Sequence, residues 1–236
     1  KTEEKEEKKV SKENVKIFKK KSSFIFPQKK PAIYKTSTQT AEKSSILSQK
    51  DFIKAKETIQ FIKDKKWNSA LKSASKVKDK EFRNLITWMH LKTTRNGASF
   101  NEYKKFIEQN EDYPRINRIR YLAEEKIYLR NNSPTSIINW FEKYPPLGGL
   151  GKIKLAEAYL EQNQTDKVRK LIKDGWTTAS IRKNDLGYYR AKFKKFIDSD
   201  DHIKRADYLA WERKYWDLKR MLKYLPTDQR ALYNAR

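Results

Sequence analysis

The sequence predicts an all-α fold, a solenoid of antiparallel helix pairs. Three observations lead there. Apolar residues recur at helical spacing in short sets from about residue 48 to the C-terminus. Turn signals such as Asn96-Gly97, Asn131-Asn132 and Pro145-Pro146 separate those sets. Ala70-Leu71, Tyr103, Ile137-Ile138 and Val168 hold like positions in successive sets, about 31–35 residues apart, which is the period of helix-turn-helix repeats. No Val/Ile/Thr alternation with regular turn spacing predicts a sheet.

The elements follow in order. Ser48, with Asp51 three residues on, starts a helix carrying Phe52, Ile53, Ala55, Ile59, Phe61 and Ile62. Trp67 to Val77 is a short partner, and Phe82 to Leu91 follows it, ended by Asn96-Gly97. Ser99 and Glu102 form a capping box ahead of Phe100, Tyr103, Phe106 and Ile107. Pro114 suits the first turn of a helix running through Ile116 to Leu129, and Ser133-Pro134 start the one bearing Trp140-Phe141. The run Tyr144-Pro145-Pro146-Leu147-Gly148-Gly149 is a break, because proline cannot continue the hydrogen-bond ladder. A helix from Leu150 to Leu160 comes next, then one capped at Thr165-Asp166 and running to Trp176. A break near Asn184-Asp185 precedes Tyr188 to Ile197. Ser199-Asp200-Asp201 caps the stretch from Ile203 to Trp211, and Trp216 to Leu222 leads to Pro226. Thr227 opens a last helix to Arg236 that carries no stop signal, so a further segment is expected beyond it.

Residues 1–46 read differently. A mixed charge run from Lys1 to Lys9, basic clusters at Lys19-Lys20-Lys21 and Lys29-Lys30, and a Ser/Thr stretch predict a flexible basic tail or linker, with the helical domain over 47–236. The island Phe24-Ile25-Phe26 is expected to dock on that domain. The chain starts at Lys1, so the reading expects a processed product whose export signal is gone.

Charge and composition bound the function. Net charge is +25, which attracts polyanions: nucleic acid, anionic lipid or a bacterial cell wall. Of the 55 basic residues, 41 are Lys and 14 Arg, a balance against dedicated bidentate base reading. With no Cys, thiolate metal sites, disulfides and Cys nucleophiles are excluded. No apolar run is long enough to span a bilayer.

The catalytic candidates reduce to structural readings. Glu124-Glu125 diverge by about 100° on a helix and read as a solvated face. His90 and His202 are the two histidines, show no metal-ligand spacing, and His202 reads as locally paired beside Asp200-Asp201. Gly148-Gly149-Leu150-Gly151 follows prolines, not a strand, and reads as a helix connection, not a phosphate loop. No catalytic, cofactor or metal residue is assigned. Trp140 with Tyr144 is a candidate glycan contact, weighed against a core role that Trp at helical spacing more often plays.

Three stretches carry a family resemblance. They are Trp140-Phe141 with Tyr144-Pro145-Pro146 and Val168 to Trp176; Asp201-His202 with Arg205, Asp207, Leu209 and Trp211; and Lys219-Arg220-Met221-Leu222 with Leu225 and Ala235-Arg236. In that order they resemble the superhelical domain of soluble lytic murein transglycosylases, over roughly 47–236. The resemblance implies a tetratricopeptide-like α-superhelix, a periplasmic location and peptidoglycan as partner. It also implies a parent enzyme that cleaves the MurNAc–GlcNAc β-1,4 bond to 1,6-anhydro-muropeptides. The family's Glu-Ser and Gly-Leu-Met-Gln motifs do not occur, so no catalytic residue carries over, and a lysozyme-like catalytic domain would be the partner of this scaffold. A tetratricopeptide-like protein-interaction scaffold is the alternative reading.

Overall fold

A computed structural model describes residues 43–235. The chain divides into two units, 1–45 and Ile46–Arg236. The expectations of a linker over 1–46 and of a docked Phe24-Ile25-Phe26 fall almost wholly outside the described residues.

Among the described residues every regular element is helical. They are α1 (Gln49–Lys63), α2 (Trp67–Ala74), α3 (Lys80–Lys92), α4 (Phe100–Gln109), α5 (Ile116–Glu124) and α6 (Pro134–Lys143). There follow α7 (Gly149–Glu161), α8 (Thr165–Thr178), α9 (Lys183–Lys192), α10 (Ser199–Trp211), α11 (Tyr215–Met221), a 3₁₀ turn (Leu222–Tyr224) and α12 (Thr227–Ala235). The all-α prediction holds.

The starts of several helices lie where the sequence places them. The Ser48 side chain accepts from Asp51 N, and Ser99 with Glu102 makes a complete capping box. Ser133 accepts from Ser136 N with Pro134 in the first turn. Other boundaries differ for identifiable reasons. Pro114 lies outside α5, whose N-cap, Arg115, is left-handed at φ 58°. Helix α5 also stops at Glu124 instead of running to Leu129. Thr165 lies inside α8, and the N-cap Gln164 makes no side-chain cap. Asn184 and Asp185 sit in the first turn of α9, so the break falls earlier, at 179–182. The cap of α10 is Asp198, which forms a capping box with Asp201. Asn96 ends α3 through its side chain, whose amide donates to the His90, Leu91 and Thr93 carbonyls. The left-handed residue of that turn is Arg95, not Gly97.

Helices pack with their sequence neighbours: α1 with α2, α4 with α5, α7 with α8, α10 with α11. They also pack two along, α3 with α5, α5 with α7, α8 with α10 and α10 with α12. Ala70, Tyr103, Ile137, Val168 and Leu218 are each the fourth residue of their helix, and all are buried. Four of them are the like positions read from the sequence. Leu218 extends the set, displaced by the insertion of α9 between α8 and α10.

Three connections share one geometry. Asp64-Lys65-Lys66, Gln162-Asn163-Gln164 and Glu212-Arg213-Lys214 join α1 to α2, α7 to α8 and α10 to α11. Their middle residues have φ of 60°, 59° and 54°. Each third residue donates back five positions in a Schellman pattern, Lys66 to Phe61 O (2.8 Å), Gln164 to Tyr159 O (3.0 Å), Lys214 to Leu209 O (2.9 Å). That same third residue is the N-cap of the following helix, so one residue closes the first helix and opens the second.

Candidate functional site

Two places concentrate the chemistry: a set of buried polar joints between helices, and an open aromatic groove at α10–α12.

Glu124 makes the first joint. It is buried, not on a solvated face as the sequence reading has it. The N-cap of α7 is Gly148, which has no side chain to offer, so the amides at the entry to the helix need an outside acceptor. Glu124 supplies it from α5. Leu147 N donates to Oε1 at 2.5 Å and Gly148 N to Oε2 at 3.1 Å. A Cβ on Gly151 would stand 2.5 Å from that carboxylate, so glycine there is a matter of space. Burial pushes Glu124 up to about 7, against the pull of the Leu147, Gly148 and Gly151 amides and Arg120. Further along, a Cβ on Gly149 would meet Ala179 N at 2.5 Å and Gly175 O at 2.7 Å. The two glycines let the backbones of α7 and α8 touch. The Gly148–Gly151 run is thus a helix start and a crossing point, in keeping with a helix connection.

Lys154 and Glu157 make the second joint, both buried on α7. Lys154 Nζ lies 4.1 Å from the Tyr128 ring centre and 5.3 Å from that of Tyr189, and burial lowers its pKa to about 8. Tyr188 donates to Glu157, and Lys192 bridges Glu157 (3.2 Å) and Glu161 (2.7 Å), which ties α9 to α7.

Trp176, His202 and Arg205 make the third joint, between α8 and α10. Trp176 Nε1 donates to His202 Nδ1 at 3.2 Å, so the imidazole is held across helices, not paired locally as its neighbours Asp200-Asp201 predict. The bond requires an unprotonated Nδ1. Burial, then Arg190, lowers the His202 pKa. Arg205 is 2% exposed; it donates to the Trp176 carbonyl and stands 5.3 Å from the Trp176 ring centre. Burial lowers its pKa to about 10. Tyr224 packs against His202 as well, 6.0 Å between ring centres.

Trp140 and Tyr144, the candidate glycan contact, are at 4% and 9% exposure. Trp140 meets Phe100 edge-on at 5.4 Å and Tyr144 at 4.3 Å, while Tyr144 donates to Glu111 at 2.5 Å. Both rings are core and offer no open face to a sugar.

The open rings are elsewhere, and the sequence reading did not select them. Trp211, Tyr215 and Trp216 are 76%, 60% and 68% exposed at the tip of the α10–α11 hairpin. Trp211 and Tyr215 border a groove of about 690 Å³ lined also by Leu209, Ala210, Leu218, Leu222 and Tyr233 of α12, and Trp216 stands beside Tyr215 with 5.0 Å between ring centres. Lys219 Nζ lies 5.7 Å from both the Tyr215 and the Trp216 ring centres. The signal was present: three aromatic residues within six, interleaved with Arg213 and Lys214, on a hairpin turn where large rings cannot all turn inward.

Among the described residues there is no cluster of His, Cys, Asp or Glu able to hold a metal, and no helix long and apolar enough to cross a membrane. Set against protein-family models, curated proteins and solved structures, the chain finds no match in any of the three.

Proposed function

We propose that this chain is the non-catalytic helical scaffold of a peptidoglycan lytic transglycosylase, working in the periplasm. It would hold against the wall a catalytic domain whose motifs these residues do not contain. In this reading the paired helices curve into a superhelix of tetratricopeptide type, and the basic surface draws the scaffold to the anionic sacculus.

The observation that carries the reading is where the three resembling stretches meet. Trp176 ends the first, His202 and Arg205 belong to the second, and the third supplies Met221 and Leu225 beside Tyr224. Far apart in sequence, the first two share one buried joint through the Trp176–His202 and Arg205–Trp176 contacts, and Tyr224, within the span of the third, lies 6.0 Å from the His202 ring, with Met221 and Leu225 buried on either side of it in sequence. A set of residues kept together by one packing unit is what a family-specific scaffold needs, and surface likeness alone does not require it.

Co-sedimentation with purified sacculi tests the reading, together with chromatography of the supernatant for anhydro-muropeptides. The chain is expected to pellet with sacculi at low salt and to release no product. Failure to pellet sinks the wall contact, and substantial product sinks the assignment as non-catalytic.

A further inference from the structure

The α7–α8 and α10–α11 hairpins turn through the same three-residue connection, so their residues align by the left-handed position, Asn163 with Arg213. The alignment puts buried Val168 on buried Leu218 and buried Ala156 on buried Ala206. It also puts Glu161, Thr165 and Asp166 on Trp211, Tyr215 and Trp216. The α1–α2 hairpin, with the same turn at Lys65, has Lys63, Trp67 and Asn68 at these three places, and its one ring, half-buried, packs 5.3 Å from the His90 ring. Rings there, standing in water, are not a requirement of the repeat, and large exposed apolar surface of this kind marks an interaction site.

The charge around the rings selects the partner. Arg213 and Lys219 are exposed and make no ion pair among the described residues, whereas the nearby Asp217 is held by Arg220. Glu212 is the remaining acid of the tip. A cationic rim around aromatic faces is complementary to an anionic partner. The rings also differ from a base-stacking platform. Tyr215 and Trp216 are inclined at 76° with centres 5.0 Å apart, so they present separate faces and not one continuous stack. Separate, tilted faces suit the pyranose units of a glycan, whose apolar C–H faces pack flat on a ring and change direction from one sugar to the next. The groove's volume lies in the range of small-ligand sites, about 300–1,000 Å³.

We propose that the tip of α10–α11 binds a glycan chain bearing free carboxylates, with Trp211, Tyr215 and Trp216 as stacking faces and Arg213 and Lys219 as carboxylate partners. The proposal rests on the wall-scaffold reading for the presence of such a glycan, and on the groove's own chemistry for the contact.

The test uses the full chain and three probes: soluble glycan strands released from sacculi, the same strands with their carboxylates amidated, and a single-stranded oligodeoxynucleotide. The variants are Trp211→Ala/Trp216→Ala and Arg213→Glu/Lys219→Glu, all at exposed positions, with circular dichroism melting to confirm the fold. Wild type is expected to bind the native strands, and either variant, or amidation of the strands, is expected to weaken binding by at least about tenfold. Undiminished binding by the aromatic variant overturns this site while leaving the scaffold reading intact. Tighter binding of the oligonucleotide than of the strands at physiological salt, abolished by the same variant, overturns the glycan in favour of nucleic acid. Absence of wild-type binding both to strands and to whole sacculi overturns this site and the scaffold reading together.

Discussion

The α7–α8 and α10–α11 hairpins are built alike and used differently. Both turn through a left-handed residue, and both bury an apolar side chain at the fourth position of the second helix. The α7–α8 hairpin has its backbones in contact at Gly149 and Gly175 and its first helix capped by Glu124 from a neighbour. Its tip is polar. The α10–α11 hairpin has no glycine, is joined to the rest through Trp176, His202 and Arg205, and carries its large rings outward. The difference teaches that a shared turn fixes the direction of the chain and little else. What each hairpin does depends on which neighbours its faces meet.

The largest way to break the contrast is at the glycine crossing. Gly149→Ala puts a methyl group against the Ala179 amide and the Gly175 carbonyl, which are backbone and cannot swing aside. A loss of about 3 kcal/mol is expected in urea unfolding, since overpacking of this kind costs about 1–3 kcal/mol. Alanine at the equivalent α10 position, Ser199, meets no such crossing and is expected to be much milder.

Removing the tertiary cap comes next. Glu124→Ala leaves the Leu147 and Gly148 amides buried without their acceptor and should cost about 2 kcal/mol. Its pH dependence has a definite sign. Burial raises Glu124 from 4.5 to about 7, so its stabilising contribution is full below pH 4.5 and is lost as pH rises through 7. Glu124→Gln should flatten that decline in a stability-versus-pH series.

His202 acts in the opposite direction across an overlapping window. Its pKa is lowered from 6.5, so the contribution is present above 6.5 and lost as pH falls through the lower, folded value. Acid thus breaks the Trp176–His202 bond while it relieves Glu124. His202→Gln should remove the acid-side loss at the α10 joint and leave the Glu124 trend in place, as read by denaturant titrations at several pH values.

The smallest effect sharpens the comparison of the turns themselves. Arg213→Gly relieves a β-carbon in the left-handed region and should stabilise by about 1 kcal/mol. Asn163→Gly should gain only a few tenths, because asparagine already tolerates that conformation. Differential scanning calorimetry of the pair checks the ranking.

Much of the fold was legible along the chain. Ser48, Ser99 and Ser133 announce their helices because a cap is a contact within four residues. The five fourth-position residues are buried because helical period and a local turn suffice to set the buried face. The sites were less legible. Trp140 and Trp211 look alike in sequence, each an aromatic on an amphipathic helix, yet one is 4% and the other 76% exposed. Glu124 beside Glu125 reads as a polar face, and one of the two is buried.

By itself, then, the sequence determined that the chain is helical, several helix starts and the recurring buried position, along with the net charge that points to anionic partners, because these depend on neighbours a few residues away or on a sum over the chain. Tertiary structure alone decided that Glu124 caps α7, that His202 is bonded to Trp176, and that the open rings are Trp211, Tyr215 and Trp216 and not Trp140 and Tyr144. Burial and cross-helix hydrogen bonds depend on which faces meet in space, and residues 23 to 29 positions apart have no local signal of their meeting.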